Sequence, residues 1–196
     1  MTELSETDKK LIEATFKILR EEGIAKATSK KIAAKAGVNE VTIFRNFKNK
    51  NNLIKATKDY YVDILVQKLK EVFSFTEDEK IEDYLQSNFD GLASLADDDF
   101  AIMKILMENS NYIPEEKHLI SKITVLIIDE IASFFDLKIE QGLIRSVDTK
   151  ALAIVYYCIH FQSVLLWRIY DDDFIKHTKK YTKSIMDLFY NGMKVN

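Results

Sequence analysis

The chain has 196 residues, with 28 Lys and Arg against 31 Asp and Glu, so its formal net charge is −3. Hydrophobic residues make up 47% of the sequence, which is enough to bury a core and excludes disorder as the main state. The single cysteine, Cys158, cannot close an intramolecular disulfide, and the first residues, MTELSETDKK, lack the apolar stretch of a secretion signal. We therefore expect a cytoplasmic protein.

Turn-forming residues are scarce along the chain. It contains one proline and five glycines, too few for the turns of a multi-stranded sheet. Apolar residues instead recur at spacings of three and four, which is typical of amphipathic helices. The longest nearly uncharged run, residues 151–167, is shorter than the roughly 20 residues of a bilayer span, so we expect a helix buried in protein. The sequence predicts an all-α fold with about nine helices.

Capping and helix-breaking residues predict where each helix begins and ends. Thr76 with Glu79 three residues later has the pattern of a capping box, which predicts that the fifth helix begins there. Pro114 opens the seventh helix, and Gly142 lies in the connection that follows it. To within a few residues, the predicted helices cover 6–22, 29–36, 40–47, 50–73, 77–96, 97–109, 114–136, 148–170 and 171–191.

Positive charge is concentrated near the start of the chain. Between residues 26 and 55, eight basic residues stand against Glu40 alone: Lys26, Lys30, Lys31, Lys35, Arg45, Lys48, Lys50 and Lys55. A basic module on an acidic body is typical of polyanion binders, because neutralising phosphates releases counterions. A solvated, lysine-rich surface would show the same charge, so a motif is needed to decide.

Residues 28–47, TSKKIAAKAGVNEVTIFRNF, have the pattern of a helix-turn-helix. The small Ala33 lets a second helix cross closely, and Gly37 can adopt the left-handed angle of the turn. Ile43 and Phe47 return to the same small core. The second helix then exposes five candidate base-reading residues: Glu40, Val41, Thr42, Arg45 and Asn46. Arginine can pair with guanine and asparagine with adenine, while valine or the threonine methyl can contact a thymine methyl.

The segment from residue 11 to residue 53 resembles the N-terminal domain of the TetR (tetracycline-repressor-like) family of transcription regulators. The resemblance is carried by Ala14, Leu19, Glu22, Gly23, Thr28, Ile32, Ala33, Ala36, Gly37, Val38, Thr42, Ile43, Phe44, Arg45, Asn46, Phe47, Lys50 and Leu53. It implies a homodimer with two recognition helices in successive major grooves of a near-palindromic operator, and a C-terminal helical domain that binds an inducer. We accordingly expect a DNA-binding domain in residues 1–48 and an effector-binding and dimerisation domain in residues 49–196.

Three positions depart from the family pattern. Val41 replaces a usually small residue, Phe44 replaces a common tyrosine, and Asn46 replaces a common aromatic residue or histidine. The operator sequence therefore does not carry over from the resemblance. Position in the motif, free helix-start amides and positive charge indicate four phosphate-binding candidates, Thr28, Lys30, Lys48 and Lys50. Thr28 can also act as a plain helix cap.

The C-terminal body carries fewer signals. The resemblance places the dimer interface on the last two helices, where the apolar candidates are Val155, Ile159, Trp167, Tyr181, Ile185 and Leu188. Large or deformable side chains that are candidates for an effector pocket are Tyr60, Phe89, Met103, Met107, Ile127, Tyr157 and Phe161, although each also suits an ordinary core. The lack of a dense set of buried charges favours an apolar or amphipathic effector. His160 is a possible polar contact or a core histidine satisfied by a neighbour.

Two other classes of function compete with a regulator. Glu115 and His118 have the spacing of half a di-iron site, but no second copy exists, and no catalytic, cofactor or metal residue is predicted. A helical adaptor that binds another protein is the second alternative. We expect a ligand-responsive repressor that binds double-stranded DNA as a homodimer and is released by a small effector, with no membrane partner and no enzymatic activity.

Overall fold

The computed structural model describes residues 4–109, 114–170, 183–185 and 187–193, without the side chains of 108–109, 114–118 and 165–170. These residues contain the eight α-helices given below, a short 3-10 helix at Ile24–Lys26, further helical residues at 183–185 and 187–193, and no β-strand. The helices are α1 (Glu6–Glu22), α2 (Ser29–Ala36), α3 (Val41–Phe47), α4 (Lys50–Phe73), α5 (Ile81–Ala93), α6 (Asp97–Asn109), α7 (Pro114–Glu140) and α8 (Thr149–Tyr170). The predicted all-α fold is confirmed. No helix in the described ranges is long and apolar enough to cross a membrane.

Most of the predicted helix starts are confirmed because the capping bonds are local. The Ser5 hydroxyl accepts from the Asp8 amide at 3.2 Å and begins α1. The Thr28 hydroxyl accepts from the Lys31 amide at the start of α2. Each such bond satisfies an amide that has no partner inside the helix.

Two further starts follow the same rule, and a third follows from charge. The Asn49 side chain accepts from the amide of Asn52 at 2.8 Å at the start of α4, and Asp148 caps α8 through the amide of Ala151 at 2.9 Å. Helix α6 begins at Asp97, as its acidic first turn predicted.

The predicted start of α5 is wrong. Glu79 does accept from the Thr76 amide, at 3.4 Å, but this bond closes a turn, and the helix begins at Ile81 without a side-chain cap. The helix also ends at Ala93, three residues before the predicted end. A local capping pair therefore formed outside any helix.

Helix α7 continues to Glu140, beyond its predicted end near residue 136. Lys138 explains the extension, because its side chain is only 1% exposed and its ammonium donates to the Glu77 carbonyl at 2.7 Å and to the Gln141 side chain at 2.9 Å. A charged residue expected in a connection is thus a buried anchor of the helix.

The last predicted helix lies partly outside the described residues. Its predicted start at 171–173 falls there, whereas residues 183–185 and 187–193 are helical. The helix continues past Gly192, where the sequence predicted its end.

The chain divides into two compact units. The first comprises Met1–Val66 and Ala96–Ile120, and the second comprises Gln67–Leu95 and Ser121–Asn196. This structural division differs from the functional boundary expected between residues 48 and 49, which stays a prediction.

In the first unit, α1 packs against α2 and α6. Phe16 of α1 stacks on Tyr61 of α4 with the ring centres 3.7 Å apart. Arg20 near the end of α1 forms a salt bridge with Asp98 at the start of α6. The helix that supports the predicted helix-turn-helix is therefore tied to α6 as well.

In the second unit, aromatic stacking and one close helix contact organise the core. Tyr84 of α5 stacks on Phe134 of α7 with ring centres 3.7 Å apart. Gly91 of α5 lies so near α4 that a Cβ atom there would be 2.8 Å from the Val72 side chain. A larger residue than glycine would therefore collide with α4 at this point.

Candidate nucleic-acid interface

Helices α1, α2 and α3 form a small core that positions the predicted DNA-reading helix. Ile32 and Ala33 of α2 and Ile43 of α3 are buried, together with Phe16 and Leu19 of α1. Since these apolar side chains alternate with charged ones at helical spacing, each short helix buries one face and exposes the other. The core of the helix-turn-helix is assembled as its sequence predicted.

The corner between α2 and α3 depends on Gly37. This residue is left-handed, with φ 68° and ψ 32°. Its amide donates to the Ala34 carbonyl at 3.2 Å, and the amide of Val38 donates to the Ala33 carbonyl at 3.0 Å, which is the Schellman pattern of helix ends. The chain then enters α3, where the Asn39 side chain accepts from the Val41 amide at 2.9 Å. Asn39 thus holds the first amide of α3, as predicted, although the residue directly before the helix is Glu40.

The outer face of α3 combines apolar and cationic side chains. Val41 is 69% exposed and Phe44 50% exposed, and Arg45 and Glu40 are also exposed. Thr42 is half-buried at the edge of this face. Val41 and Phe44 are three residues apart and so lie on one face of the helix, where they are suited to apolar contact with thymine methyl groups.

The side-chain amide of Asn46 is hydrogen-bonded to other side chains of the protein. Its Nδ2 donates to Oδ1 of Asp8 on α1 at 2.8 Å, and its Oδ1 accepts from Nε of Arg45 at 3.2 Å. Burial raises the pKa of the Asp8 carboxyl, but hydrogen bonds from Ser5 and Asn46 and the charge of Arg45 outweigh it, so the pKa is lower than usual. Asp8 is a residue that the sequence reasoning missed.

The four phosphate candidates differ in exposure. Thr28, Lys30 and Lys48 are exposed, while Lys50 is half-buried. Lys48 ends α3 with a left-handed backbone, φ 68°, which is rare for a residue other than glycine. Among the described residues, no acidic side chain forms a salt bridge with Lys30, Lys48 or Lys50.

Three other lysines of the basic segment are already paired. Lys31 pairs with Glu22, Lys35 with Glu21 at 2.8 Å, and Lys55 with Asp59 at 3.4 Å. The charge excess counted from the sequence therefore overstates the positive charge that is open to a polyanion.

The effector-pocket candidates fall in both units. In the first unit, Tyr60 and Met103 are half-buried, and Met107 is 49% exposed. In the second unit, Phe89, Ile127 and Tyr157 are buried and Phe161 is half-buried, stacked on Tyr157. Their role in ligand binding stays a prediction.

A buried polar group that the sequence reasoning did not single out lies in the second unit. The side chain of Asn88 on α5 is fully buried, and neither its Oδ1 nor its Nδ2 has a hydrogen-bond partner among the described residues. A buried amide without partners is costly and rare in a native core. Its position in the apolar stripe of α5, with Tyr84, Leu85 and Leu92, was a signal available from spacing alone.

Aromatic rings accompany Asn88. Tyr156 of α8 lies 4.0 Å from His160 between ring centres, and Phe89 lies 5.7 Å from His160. Burial raises the pKa of Tyr84 and Tyr156, and the Asn88 amide lowers both to a smaller extent, although it makes no well-formed hydrogen bond with either hydroxyl.

His160 is satisfied by its own helix. Its Nδ1 donates to the Tyr156 carbonyl at 2.7 Å, which requires the Nδ1–H tautomer. Burial lowers the pKa of the imidazole to about 4, so the ring is neutral at physiological pH. The core-histidine interpretation is the one that this geometry favours.

An exposed apolar strip runs along α8. Ile154 is 45% exposed and Val155 51% exposed, and the exposed Cys158 lies one turn further on. Leu188 is 71% exposed, while Ile159 and Ile185 are half-buried. Tyr181 and the side chain of Trp167 lie outside the described residues.

The metal alternative gains no support from the described side chains. No group of three or more His, Cys, Asp and Glu residues is placed there to hold a metal ion. The side chains of Glu115 and His118, the half di-iron pattern, are not among those described.

Comparison with known proteins agrees with this geometry. Residues 11–57 match the family model of bacterial regulatory proteins of the tetR family. A segment of 50 residues is 48% identical to the uncharacterized HTH-type transcriptional regulator YvkB of Bacillus subtilis, and it spans 26% of this chain and 26% of that relative. The sequence match is thus confined to about a quarter of either protein.

Solved structures extend the likeness to the whole fold. A TetR transcription regulator from Haloarcula marismortui has a TM-score of 0.75 at 18% identity, with 98% of this chain and 100% of that chain covered. A transcriptional regulator from Saccharomonospora viridis, solved in complex with choline, has a TM-score of 0.75 at 15% identity, with 94% and 97% covered. At these identities the structures establish a shared fold.

Proposed function

We propose that this chain, whose residues 11–57 match the tetR family model and whose fold is shared with TetR regulators, regulates transcription by binding a near-palindromic DNA operator as a homodimer. The observation that carries this proposal is the outer face of α3, where Val41, Phe44 and Arg45 are exposed on a helix held by a packed three-helix core. A short helix of this kind fits the major groove of B-DNA. Function on DNA also supports the cytoplasm as the proposed location.

The proposed contacts divide by chemistry. Arg45 donates to guanine, and Val41 and Phe44 make apolar contacts with thymine methyl groups. Lys30, Lys48 and Lys50 neutralise phosphates, and Thr28 contributes the first amides of α2. Glu40 and Thr42 border the reading face and contribute to base choice.

The proposed dimer uses the exposed apolar strip of α8. A strip containing Ile154 and Val155 loses contact with water when a second copy covers it, and a two-fold axis makes the same strip serve both copies. Leu188 belongs to the same proposed interface, together with the expected residues Ile159, Trp167, Tyr181 and Ile185. The pair then presents two recognition helices to half-sites separated by ~34–36 Å or a multiple of it.

We further propose that the protein is a repressor released by a small apolar or amphipathic effector. The buried Asn88 amide, which makes no well-formed hydrogen bond among the described residues, supports an effector with one polar group, and Phe89, Ile127, Tyr157 and Phe161 are the proposed apolar contacts in the second unit. The Saccharomonospora viridis protein of the same fold was solved with choline, which supports a small-molecule site in this fold. Release requires that the effector bind one form of the dimer more tightly than the other.

A selection experiment tests the DNA function. Purified full-length protein is incubated with a random duplex library, the recovered sequences are aligned, and binding to the consensus is titrated by fluorescence anisotropy at several salt concentrations. We expect a two-fold-symmetric consensus and a logarithm of the binding constant that falls linearly with the logarithm of the salt concentration. A protein that recovers no consensus and shows no salt-dependent binding is not an operator-binding regulator, which is the outcome a protein adaptor would give.

Arg45→Ala sharpens the test. This substitution should reduce the preference for the correct base, at one base pair of each half-site, by about 1–3 kcal/mol. Lys150→Ala, which removes one exposed positive charge from α8, is the matched control and should leave the consensus unchanged.

The effector part has its own test. Choline, a medium-chain fatty acid and an aromatic amine are each added to the preformed operator complex, and release is followed by anisotropy. An active compound should lose potency in Asn88→Ala but keep it in Gln86→Ala, an exposed residue of the same helix. Equal potency in both variants would remove Asn88 from the proposed site.

A further inference from the structure

A chain of hydrogen bonds joins the first turn of α1 to the DNA-reading face of α3. The two oxygens of the Asp8 carboxylate accept hydrogen bonds from different residues. Its Oδ2 accepts from the Ser5 hydroxyl at 2.7 Å and the Ser5 amide at 3.2 Å, which completes the cap of α1. Its Oδ1 accepts from the Asn46 amide at 2.8 Å.

Asn46 in turn is hydrogen-bonded to Arg45. The Asn46 carbonyl oxygen accepts from Arg45 Nε at 3.2 Å, so both ends of the asparagine amide are engaged by the protein. Because the bond uses Nε, the two terminal nitrogens of Arg45 are the ones left to donate to a guanine edge.

Helix geometry separates Asn46 from the reading face. Val41, Phe44 and Arg45 lie within about 100° of arc on α3, whereas Asn46 follows Arg45 by a further 100° and points toward the side of the helix next to α1. The asparagine is thus placed to hold a neighbour rather than to reach the floor of a groove.

We propose that Asp8 is a positioning residue for DNA recognition, which orients the Arg45 guanidinium through Asn46 and thereby sets base specificity at one position of each half-site. This inference rests on the proposed DNA-binding function. It replaces the role that the sequence suggested for Asn46, direct pairing with adenine, by an indirect one.

Two effects of opposite sign distinguish this role. A negative charge beside the reading helix repels phosphates, so Asp8 weakens binding to DNA of any sequence. The same carboxylate holds Arg45 in one orientation before DNA arrives, so less side-chain freedom is lost when the guanine contact forms. Asp8 therefore lowers general affinity while raising the preference for the correct base.

The test compares Asp8→Asn with Glu6→Gln. Both variants remove one acid from the first turn of α1, but Glu6 pairs with Lys9 at 3.5 Å and forms no hydrogen bond or salt bridge with α3 among the described residues. Each protein is titrated with the selected operator, with a duplex substituted at the Arg45 base pair, and with a scrambled duplex. Thermal unfolding of each variant records any loss of helix capping.

In Asp8→Asn we expect equal or tighter binding to the scrambled duplex and a loss of about three- to tenfold in the preference for the operator over the substituted duplex, the factor equivalent to ordering one side chain. Glu6→Gln should keep the wild-type preference. A preference in Asp8→Asn equal to wild type overturns the inference.

The double variant Asp8→Asn with Arg45→Ala shows whether Asp8 acts through Arg45. We expect it to have the same base preference as Arg45→Ala alone, because the effects of substituting two residues of one hydrogen-bond network are not additive. An additional loss overturns the inference. So does a loss of adenine preference at a different base pair in Asn46→Ala, since that result marks asparagine as a direct reader. Absence of salt-dependent binding by wild type would instead reject the proposed function itself.

Discussion

The hydroxyl of Tyr156 on α8 donates to the main-chain carbonyl of Leu85 on α5 at 2.9 Å. Both residues are fully buried, so the bond joins two helices inside the core of the second unit where water cannot replace it. The Tyr156 ring also contacts the rings of His160, Phe135 and Phe189. The residue is therefore a structural link between α5 and α8.

Replacing Tyr156 by phenylalanine should lower the free energy of unfolding by about 1 kcal/mol, because it removes this hydrogen bond and leaves the packing of the ring almost unchanged. Urea denaturation followed by circular dichroism measures the loss. Tyr157→Phe, at the next residue, is the control, since the Tyr157 hydroxyl forms no hydrogen bond within the described part of the chain. Equal losses in the two variants would contradict the importance of the bond to Leu85.

Stability should depend on pH through His160. Burial lowers the pKa of His160 to about 4 in the folded chain, whereas the ordinary value is 6.5. As the pH falls through the range from 6.5 to 4, the unfolded chain gains a proton that the folded chain does not, and the folded state loses stability. The nearest titratable ring, Tyr156, stays neutral throughout this range.

Between pH 7 and pH 5, the wild type should lose about 2 kcal/mol more unfolding free energy than His160→Asn, in which the amide can still donate to the Tyr156 carbonyl. Denaturant titrations of both proteins at the two pH values give the comparison. An identical pH dependence in the two proteins would show that His160 does not resist protonation.

Any residue with a β-carbon in place of Gly37 should lower the free energy of unfolding, because the corner has a left-handed backbone. An added Cβ there meets no atom within 4 Å, so the penalty of Gly37→Ala comes from the backbone alone, about 1–2 kcal/mol. Gly192 is helical and its added Cβ also meets nothing, so Gly192→Ala should leave stability unchanged or raise it. Thermal unfolding of the two variants tests the contrast, and a stable Gly37→Ala protein would be the unexpected result.

Lys48 combines a strained backbone with a charge expected to meet phosphate. Lys48→Gly removes both, and Lys48→Met removes only the charge. Each should reduce the magnitude of the salt slope of operator binding by about one, while only the glycine variant should gain stability, by up to about 1 kcal/mol. Salt titration and denaturation of the same preparations separate the two effects. Equal stability in both variants would show that the left-handed backbone carries no cost.

Features that depend on neighbours in sequence were predictable. The caps at Ser5, Thr28, Asn49 and Asp148 are satisfied within three residues, and the left-handed Gly37 follows from the absence of a side chain. For the same reason the sequence predicted that Val41 and Arg45 are exposed on α3, the proposed reading helix.

Features that depend on residues far apart in the sequence could not be predicted. Thr76 and Glu79 formed their local bond, but the Glu77 carbonyl between them accepts from Lys138, 61 residues away, so the segment stays a turn and α7 is lengthened. The hydrogen bond from Asn46 to Asp8 was not predictable, because Asp8 lies 38 residues earlier and no local pattern reveals that pair. Asn88 was detectable by spacing, yet its lack of a partner required coordinates.

The contact between Gly91 and Val72 acts as a steric stop. Sliding α5 along α4 by a single residue would bring a neighbouring side chain against the valine, where even a methyl group finds no room. The end of α4 from residue 67 to residue 73 and the whole of α5 should therefore shift as one rigid pair. We expect a rearrangement of the second unit to keep the register of these two segments.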